Sequence, residues 1–365
     1  MSQFSINMLS SADSVPGQGV GSAYVEQVQL VEDGSKGMFD VYINDNKYHE
    51  IQHFHTINYK HYIKMKRGGS INVAYVHFLP HTLDGSIKLP KLIFNIFKKY
   101  VIKFYRSADA LIVVNPIFIK ELSQYNIPLE KIHYIPNYVS KDMFYKQEAE
   151  EVAKTKEKYK IGLNTKVVLG VGQIQTRKGV IDFVEVAKKL PEYEFVWCGG
   201  FSFGNITDGY KELKEIVDNP PSNVKFLGII TREEMNSIYN VADVLFMPSY
   251  NELFPMSILE AISSGVPLLL RDLELYEDIL FRKYINANDN DSFASSLKEL
   301  FTDEALYNKY SEASREISKF YSKESVYNQW EKFYQEIYKK DNDKINFSKI
   351  KKQRFKEELK STSGK

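Results

Sequence analysis

Residues 251–267 read NELFPMSILEAISSGVP. Pro255 suits the first turn of a helix, where its missing N–H removes no hydrogen bond, and Gly265 followed by Pro267 marks the stop. Glu252 then falls in the loop ahead of the helix and Glu260 inside it. The preceding run VLFMPS (244–249) reads as a buried strand, so the segment is one strand–loop–helix unit of a parallel sheet. Ligands of such sheets bind beyond the carboxyl ends of the strands, and the first-turn N–H groups of a helix attract phosphate. The backbone near Phe254, Met256 and Ser257 is therefore a candidate phosphate seat, and Glu252 stands where a carboxylate can hold a hydroxylated ligand. Two surface glutamates on a core helix would leave the same pattern.

The units around this one repeat the alternation of short apolar runs with amphipathic segments. In the second half the runs are KVVLGVG (166–172), EFVWCGG (194–200), NVKFLG (223–228), VLFMPS and VPLLLR (266–271), with helices such as 180–190 and 232–242 between them. The first half offers FSINML (4–9), EIQHF (50–54), NVAYVHF (72–78), ALIVVN (110–115) and KIHYIP (131–136). The first of these runs into VPGQGVGSAYVEQVQLV, a glycine-rich turn entering a helix. A polar stretch joins the halves near residues 138–150, a long amphipathic helix covers 325–340, and the lysine-rich end reads as solvated and partly helical. The chain thus divides into 1–145, 146–324, the helix 325–340 and a basic tail, 341–365. Two α/β units in series is the economical fold, and 365 residues suffice for two domains.

Composition excludes several classes. With 43% hydrophobic and 26% charged residues the chain is an ordinary globular protein rather than a disordered or fibrous one. Cys198 is the single cysteine, so no intrachain disulfide can form, and a reducing compartment fits. The start MSQFSINMLSS has no basic segment leading into an apolar run, and no stretch of about 18 apolar residues occurs, so neither a signal peptide nor a membrane span is expected. The formal net charge of +1 hides an uneven distribution: residues 51–106 carry ten Lys or Arg against one acid, Asp84. A basic patch can serve nucleic acid, but no nucleic-acid-binding motif accompanies it, and such a partner is not expected.

Within that basic region lies LPKLIFNIFKKYVIKFYR (89–106). At 100° per residue Lys91, Asn95, Lys98, Lys99, Lys103 and Arg106 share one arc, while Ile93, Phe94, Ile96, Phe97, Tyr100, Val101 and Phe104 share the other. Such a helix can lie in an anionic membrane interface with its apolar face in lipid, or it can be a core helix with a basic outer face. The neighbouring YKHYIKMKRGG adds four cations and aromatic anchors and favours the membrane. Lys91, Phe94, Phe97, Lys98, Lys99 and Lys103 are the candidate membrane or acceptor residues. His53 and His55 share one strand face and, with His77 and His81, also permit a metal-site reading, but no acidic or cysteine set completes it. Packed or surface histidines are the plainer account of His53, His55 and His81.

Several motifs together carry a resemblance. A proline-serine strand end, then glutamate, seven residues, glutamate-alanine and a glycine-x-proline stop resembles the retaining GT-B glycosyltransferases of family four. GVGQIQTRKGV is similar to that family's diphosphate-binding turn, with Lys178 and Gly179 matching; the family's usual arginine is Gln173 here, and Arg177 is extra. The combination of INMLSSADSVPGQGVGSAY, VHFLPHTLDGSIKLPK, VGQIQTRKG and ELFPMSILEA looks like a narrower group, the bacterial hexosyltransferases that extend monoglucosyl-diacylglycerol to a diglycosyl lipid.

The resemblance implies two Rossmann-like domains facing across a cleft, and transfer of a hexose from a UDP-sugar with retention, galactose being favoured over glucose. No metal or other cofactor is implied; the UDP-hexose is a co-substrate. Glu252 would contact the donor hexose together with His77, and Glu260 would hold the ribose. Gly172, Arg177, Lys178 and Gly19 would flank the diphosphate with Phe254, Met256 and Ser257. The protein would work at the inner face of the cell membrane, peripherally. Two alternatives stay open: a cell-wall polymer or polysaccharide as acceptor, and a catalytically silent GT-B subunit, for which Gln173 leaves room.

Overall fold

The computed structural model describes residues 3–11, 19–35, 37–79, 90–202, 204, 207–252 and 254–353. Two all-parallel sheets of six strands organise them. The first contains β1 (Phe4–Leu9), β2 (Phe39–Ile43), β3 (Ile51–Phe54), β4 (Ile71–Val76), β5 (Ala110–Val113) and β6 (Ile132–Tyr134), in the order β2-β1-β3-β4-β5-β6. The second contains β7 (Val167–Val171), β8 (Glu194–Cys198), β9 (Val224–Gly228), β10 (Val244–Met247), β11 (Leu268–Arg271) and β12 (Ile285–Ala287), in the order β12-β11-β10-β7-β8-β9. These are the two Rossmann-like units of a GT-B fold.

Helices fill the connections: α1 (Gly19–Gly34), α2 (Tyr59–Lys66), α3 (Lys91–Ser107) and α4 (Ile117–Ser123) in the first unit, then α5 (Ala149–Lys158) and α6 (Val180–Lys189). After them come α7 (Tyr210–Asp218), α8 (Arg232–Val241), α9 (Met256–Ser263), α10 (Leu275–Leu280), α11 (Asn290–Thr302), α12 (Glu304–Phe320) and α13 (Lys323–Lys340). Helices on both faces explain why the central strands read as unbroken apolar runs: every residue of β1, β4, β5 and β10 is buried.

Strand order sets where ligands can bind. The order of the second sheet reverses between β7 and β10, which pair directly, so the loops after those two strands open a crevice. The order of the first sheet reverses between β1 and β3, placing the carboxyl ends of those two strands at its own crevice. One hydrophobic core runs through both units, from Phe4 and Ile71 to Leu245 and Ile258. Helix α13 contributes Val326, Trp330 and Tyr334 to that core. It packs on the first unit: Tyr334 Oη lies 2.7 Å from His53 Nδ1, and Phe4 stacks on Tyr338 at 4.5 Å.

Several expectations are corrected. β2 and β12 were not foreseen; β2 is a sheet edge with only Phe39 fully buried, and β12 has three residues. The polar link between the units is partly core, since Tyr138, Val139 and Phe144 are buried and the backbone N–H groups of Tyr145 and Gln147 donate to Asn236 and Asn240 of α8. The basic tail is not wholly solvated either: Ile345 bridges to Gly69, and Ile345 and Ile350 are buried.

Helix α3 divides along its length. Its second half is a core helix, with Val101, Phe104 and Tyr105 buried, whereas Leu92, Ile93 and Ile96 in its first half are exposed. A continuous apolar stripe in lipid is therefore excluded, and only the first two turns can meet a membrane. Among the described residues no helix is long and apolar enough to cross a membrane.

Candidate active site

At the β7/β10 crevice, the turn after β7 and the loop after β10 are held together by Gly179. Its φ is +70°, which glycine adopts freely, and a Cβ there would stand 2.4 Å from the carbonyl oxygen of Pro248. Side chains other than hydrogen are thus shut out, and the preceding Lys178 is delivered to the opposite loop. Tyr250 N–H donates to the carbonyl of Arg177 at 2.8 Å and completes the join.

Lys178 and Glu252 form a buried ion pair, Nζ to Oε1 2.5 Å, with both residues under a tenth exposed. Arg177 stands on the other side of the carboxylate, 3.9 Å from Oε2, and donates to the carbonyl of Asn251 at 3.0 Å. Burial alone would raise the Glu252 carboxyl, but the charges of Lys178 and Arg177 bring it below the usual carboxylate range. Burial pulls the Lys178 ammonium down, and Glu252 partly restores it. The stem of Lys178 lies over Gly172, whose φ is +155°. Gln173 accepts from Gln175 Nε2 at 2.6 Å.

Pro255 is the N-cap of α9 rather than its first helical residue, with φ −69° and ψ 137°. Phe254 consequently lies ahead of the helix, a correction to its place in the phosphate seat: its ring packs on Tyr321 at 5.1 Å, and its carbonyl accepts from Asn137 Nδ2 at 3.1 Å. Met256 and Ser257 occupy the first turn, where N–H groups face out of the helix. Ser257 Oγ also donates to the sulfur of Met247 at 3.4 Å. One turn on, Glu260 is buried; its Oε2 accepts from Tyr239 Oη at 2.6 Å and its Oε1 from Arg232 at 3.2 Å. Burial raises the Glu260 carboxyl above its ordinary range despite those partners.

From the first unit comes His77, directly after β4. Its ring stacks on Tyr75 at 4.3 Å and 15°, and its Nε2 is buried without a hydrogen-bond partner. Burial pushes its pKa down to about 3, so the imidazole is neutral at physiological pH. Tyr75 Oη donates to Asn137 Oδ1 at 3.0 Å, so His77 is tied through Tyr75 and the inter-unit link to Phe254. His53 and His55 are packed, 0% and 2% exposed, with ring centroids 4.3 Å apart. Among the described residues no group of three or more His, Cys, Asp or Glu is placed to hold a metal.

Gly19 is the first residue of α1; residues 12–18, His81 and the side chain of Lys91 lie outside the described set. Lys98, Lys99 and Lys103 line a groove on the outer face of α3 with Arg106 and Tyr125. Phe94 and Phe97 are half-buried, and Lys98 sits 4.5 Å from the centre of the Phe94 ring.

Sequence reasoning missed Asn137, Tyr239, Arg232 and Glu26. Each lies outside the two motifs, and only the fold brings Asn137 to Phe254, Tyr239 and Arg232 to Glu260, and Glu26 of α1 to Arg232.

The fold is the GT-B fold of known glycosyltransferases, and sequence relatives specify the family. The model of the family "glycosyl transferases group 1" matches residues 151–317. The alpha-galactosylglucosyldiacylglycerol synthase of Streptococcus pneumoniae is 42% identical over 333 residues, 90% of this chain and 89% of that protein. The chain belongs to this family of glycosyltransferases. The processive diacylglycerol alpha-glucosyltransferase of Acholeplasma laidlawii is 27% identical over 77% of this chain and 83% of its own length. Among solved structures, sucrose-phosphate synthase of Thermosynechococcus elongatus aligns with a TM-score of 0.76 at 16% identity, covering 92% of this chain and 100% of that one. Anabaena HepE in complex with UDP-glucose aligns at 0.74 and 13%, with the same coverage.

Proposed function

We propose that the chain transfers a hexose, galactose in preference to glucose, from a UDP-sugar to monoglucosyl-diacylglycerol with retention at the anomeric carbon. The observation that carries this reading is the layout of the β7/β10 crevice. A buried lysine, a carboxylate kept ionised beside it, a helix N-terminus and a second buried carboxylate one turn on follow one another. Diphosphate, hexose hydroxyls and a ribose diol are the groups that such a series accepts.

In the proposed reaction Lys178 and the first turn of α9 neutralise the diphosphate as the bond between the anomeric carbon and its oxygen breaks. Arg177 supports the charge, and the stem of Lys178 lies over Gly172 as the floor of the phosphate site; Gly19 approaches it from the first unit. Glu252 accepts hydrogen bonds from the hexose and orients it. It is not a nucleophile, because the acceptor hydroxyl attacks from the face the diphosphate leaves and its proton departs with the phosphate. Neutral His77 donates to the hexose from the first unit, and Glu260 accepts from the ribose. No metal or cofactor is assigned.

The acceptor is assigned from the names of the two diacylglycerol-glycolipid relatives and from the surface of α2 and α3. Tyr59, Leu92, Ile93 and Ile96 are exposed there next to Lys98, Lys99 and Lys103. Apolar anchors rimmed by cations suit an anionic bilayer, which supports a peripheral position on the inner face of the membrane. The test is incubation with liposomes containing monoglucosyl-diacylglycerol and either UDP-galactose or UDP-glucose, followed by mass analysis of the lipids. A dihexosyl lipid from UDP-galactose supports the reading; no new lipid from either donor overturns it.

A further inference from the structure

Arg232 opens α8 in the second unit, and its guanidinium reaches two buried carboxylates from different units. Nη1 donates to Glu260 on α9, and Nη2 pairs with Glu26 on α1. Glu26 and Glu260 are 4% and 6% exposed. The other oxygen of Glu26 accepts from the backbone N–H of Ser140 at 3.2 Å, and the guanidinium sits 5.3 Å from the centre of the Phe144 ring. Ser140 and Phe144 both belong to the segment that links the two units. One cation therefore gathers the first unit's α1, the link and the second unit's α9. Its Nε is buried with no hydrogen-bond partner, a spare donor beside Glu260.

Without the guanidinium, two buried carboxylates would confront each other across the contact between the units, and like charges in a low-dielectric setting repel strongly. Arg232 also keeps Glu260 an acceptor: the Arg232 and Tyr239 bonds occupy one lone pair on each oxygen, leaving the remainder for a hydroxylated ligand. A group that binds Glu260 thus acts on an ion already anchored to the opposite unit, and coupling of this kind is reciprocal.

We propose that Arg232 is a positioning residue for the donor, bridging Glu260 to Glu26 so that nucleotide occupancy of the second unit and docking of the first unit's α1 are coupled. The inference rests on the proposed reading of Glu260 as the ribose acceptor. It adds a function for Glu26, which touches no donor group and acts through Arg232.

The test is calorimetric titration of the full-length protein with UDP, for the parent and for Arg232→Met, Glu26→Gln, Arg232→Lys and the double variant R232M/E26Q. Both single changes are expected to weaken UDP binding about tenfold. The double variant should bind no worse than Arg232→Met alone, and Arg232→Lys should recover part of the loss. A merely structural pair would lower the melting temperature and leave the Kd for UDP in place. UDP binding by Glu26→Gln equal to the parent's, or losses that multiply in the double variant, would overturn the coupling. If Arg232→Met does not fold, Glu26→Gln, which removes a charge at constant shape, decides alone. Absence of UDP binding by the parent would instead overturn the donor reading itself, and the coupling with it.

Discussion

Lys178 is the residue on which the proposed chemistry leans most. It is buried against Glu252, so Lys178→Ala removes the proposed donor to the leaving diphosphate and strands a carboxylate inside the crevice. Loss of one preorganised donor of this kind lowers kcat by about 10²–10³, and breaking a buried pair destabilises by about 3 kcal/mol. Steady-state kinetics and a denaturant titration of the variant measure the two effects; unchanged kcat would contradict the role. The positions of Lys178, Glu252 and Glu260 at the second crevice were legible because each belongs to a local spacing motif fixed by one turn. Arg232 was not legible. TREEMNSIY reads as the polar start of a surface helix, and the partner Glu26 is 206 residues away in the chain. Phe254 was assigned to the helix N-terminus although Pro255, not Phe254, caps it; a proline spacing fixes the boundary only to within a residue or two.

At the level of single elements, α3 separates two kinds of apolar position that the helical period lumps together. Leu92 and Ile96 are 74% and 60% exposed, whereas Phe104 is 0% exposed. The double variant Leu92→Glu with Ile96→Glu should keep the parent's melting temperature and lose binding to anionic vesicles in a sedimentation assay. Phe104→Ala should do the reverse, costing about 3–5 kcal/mol of stability. Retained vesicle binding by the Leu92/Ile96 variant would remove this helix from the membrane surface. The turn after β7 makes a sharper demand. Gly179→Ala puts a methyl group 2.4 Å from the Pro248 carbonyl at φ +70°, so the two loops must separate, and a loss of activity with lowered thermal stability is expected. Activity equal to the parent's would show that the Lys178 to Glu252 spacing is not critical. Strands were legible as apolar runs where both faces are covered. The edge strand β2 was missed because FDVYI alternates into exposed residues, and β12 because three residues carry no period.

Over the whole molecule, the histidines of the first unit make stability depend on pH. Burial pushes His53 down to about 3 and His55 well below its ordinary value near 6.5. Both are therefore neutral in the folded state but protonate in the unfolded chain as pH drops past about 6.5. The unfolded state then binds more protons, so stability is present above that value and is lost as pH falls toward the folded pKa. Lowering the pH from 7.5 to 5.5 should cost on the order of 1 kcal/mol for each of the two. Denaturant midpoints across that interval measure the loss, and an invariant midpoint would contradict the burial. The pairing of two α/β units was legible from the alternation of runs. The strand order, and with it the meeting of β7 and β10 that brings Lys178 to Glu252, was not, because order in a parallel sheet depends on contacts between distant segments.

The measurement that tests the central claim most directly is the anomeric configuration, by NMR, of the sugar linked to monoglucosyl-diacylglycerol after incubation with UDP-galactose. The α-configured donor should give a new α linkage, as front-face transfer with Glu252 orienting the hexose requires. A β linkage would contradict it and call for a general base on the opposite face, a role that Glu252, locked against Lys178, is not placed to fill.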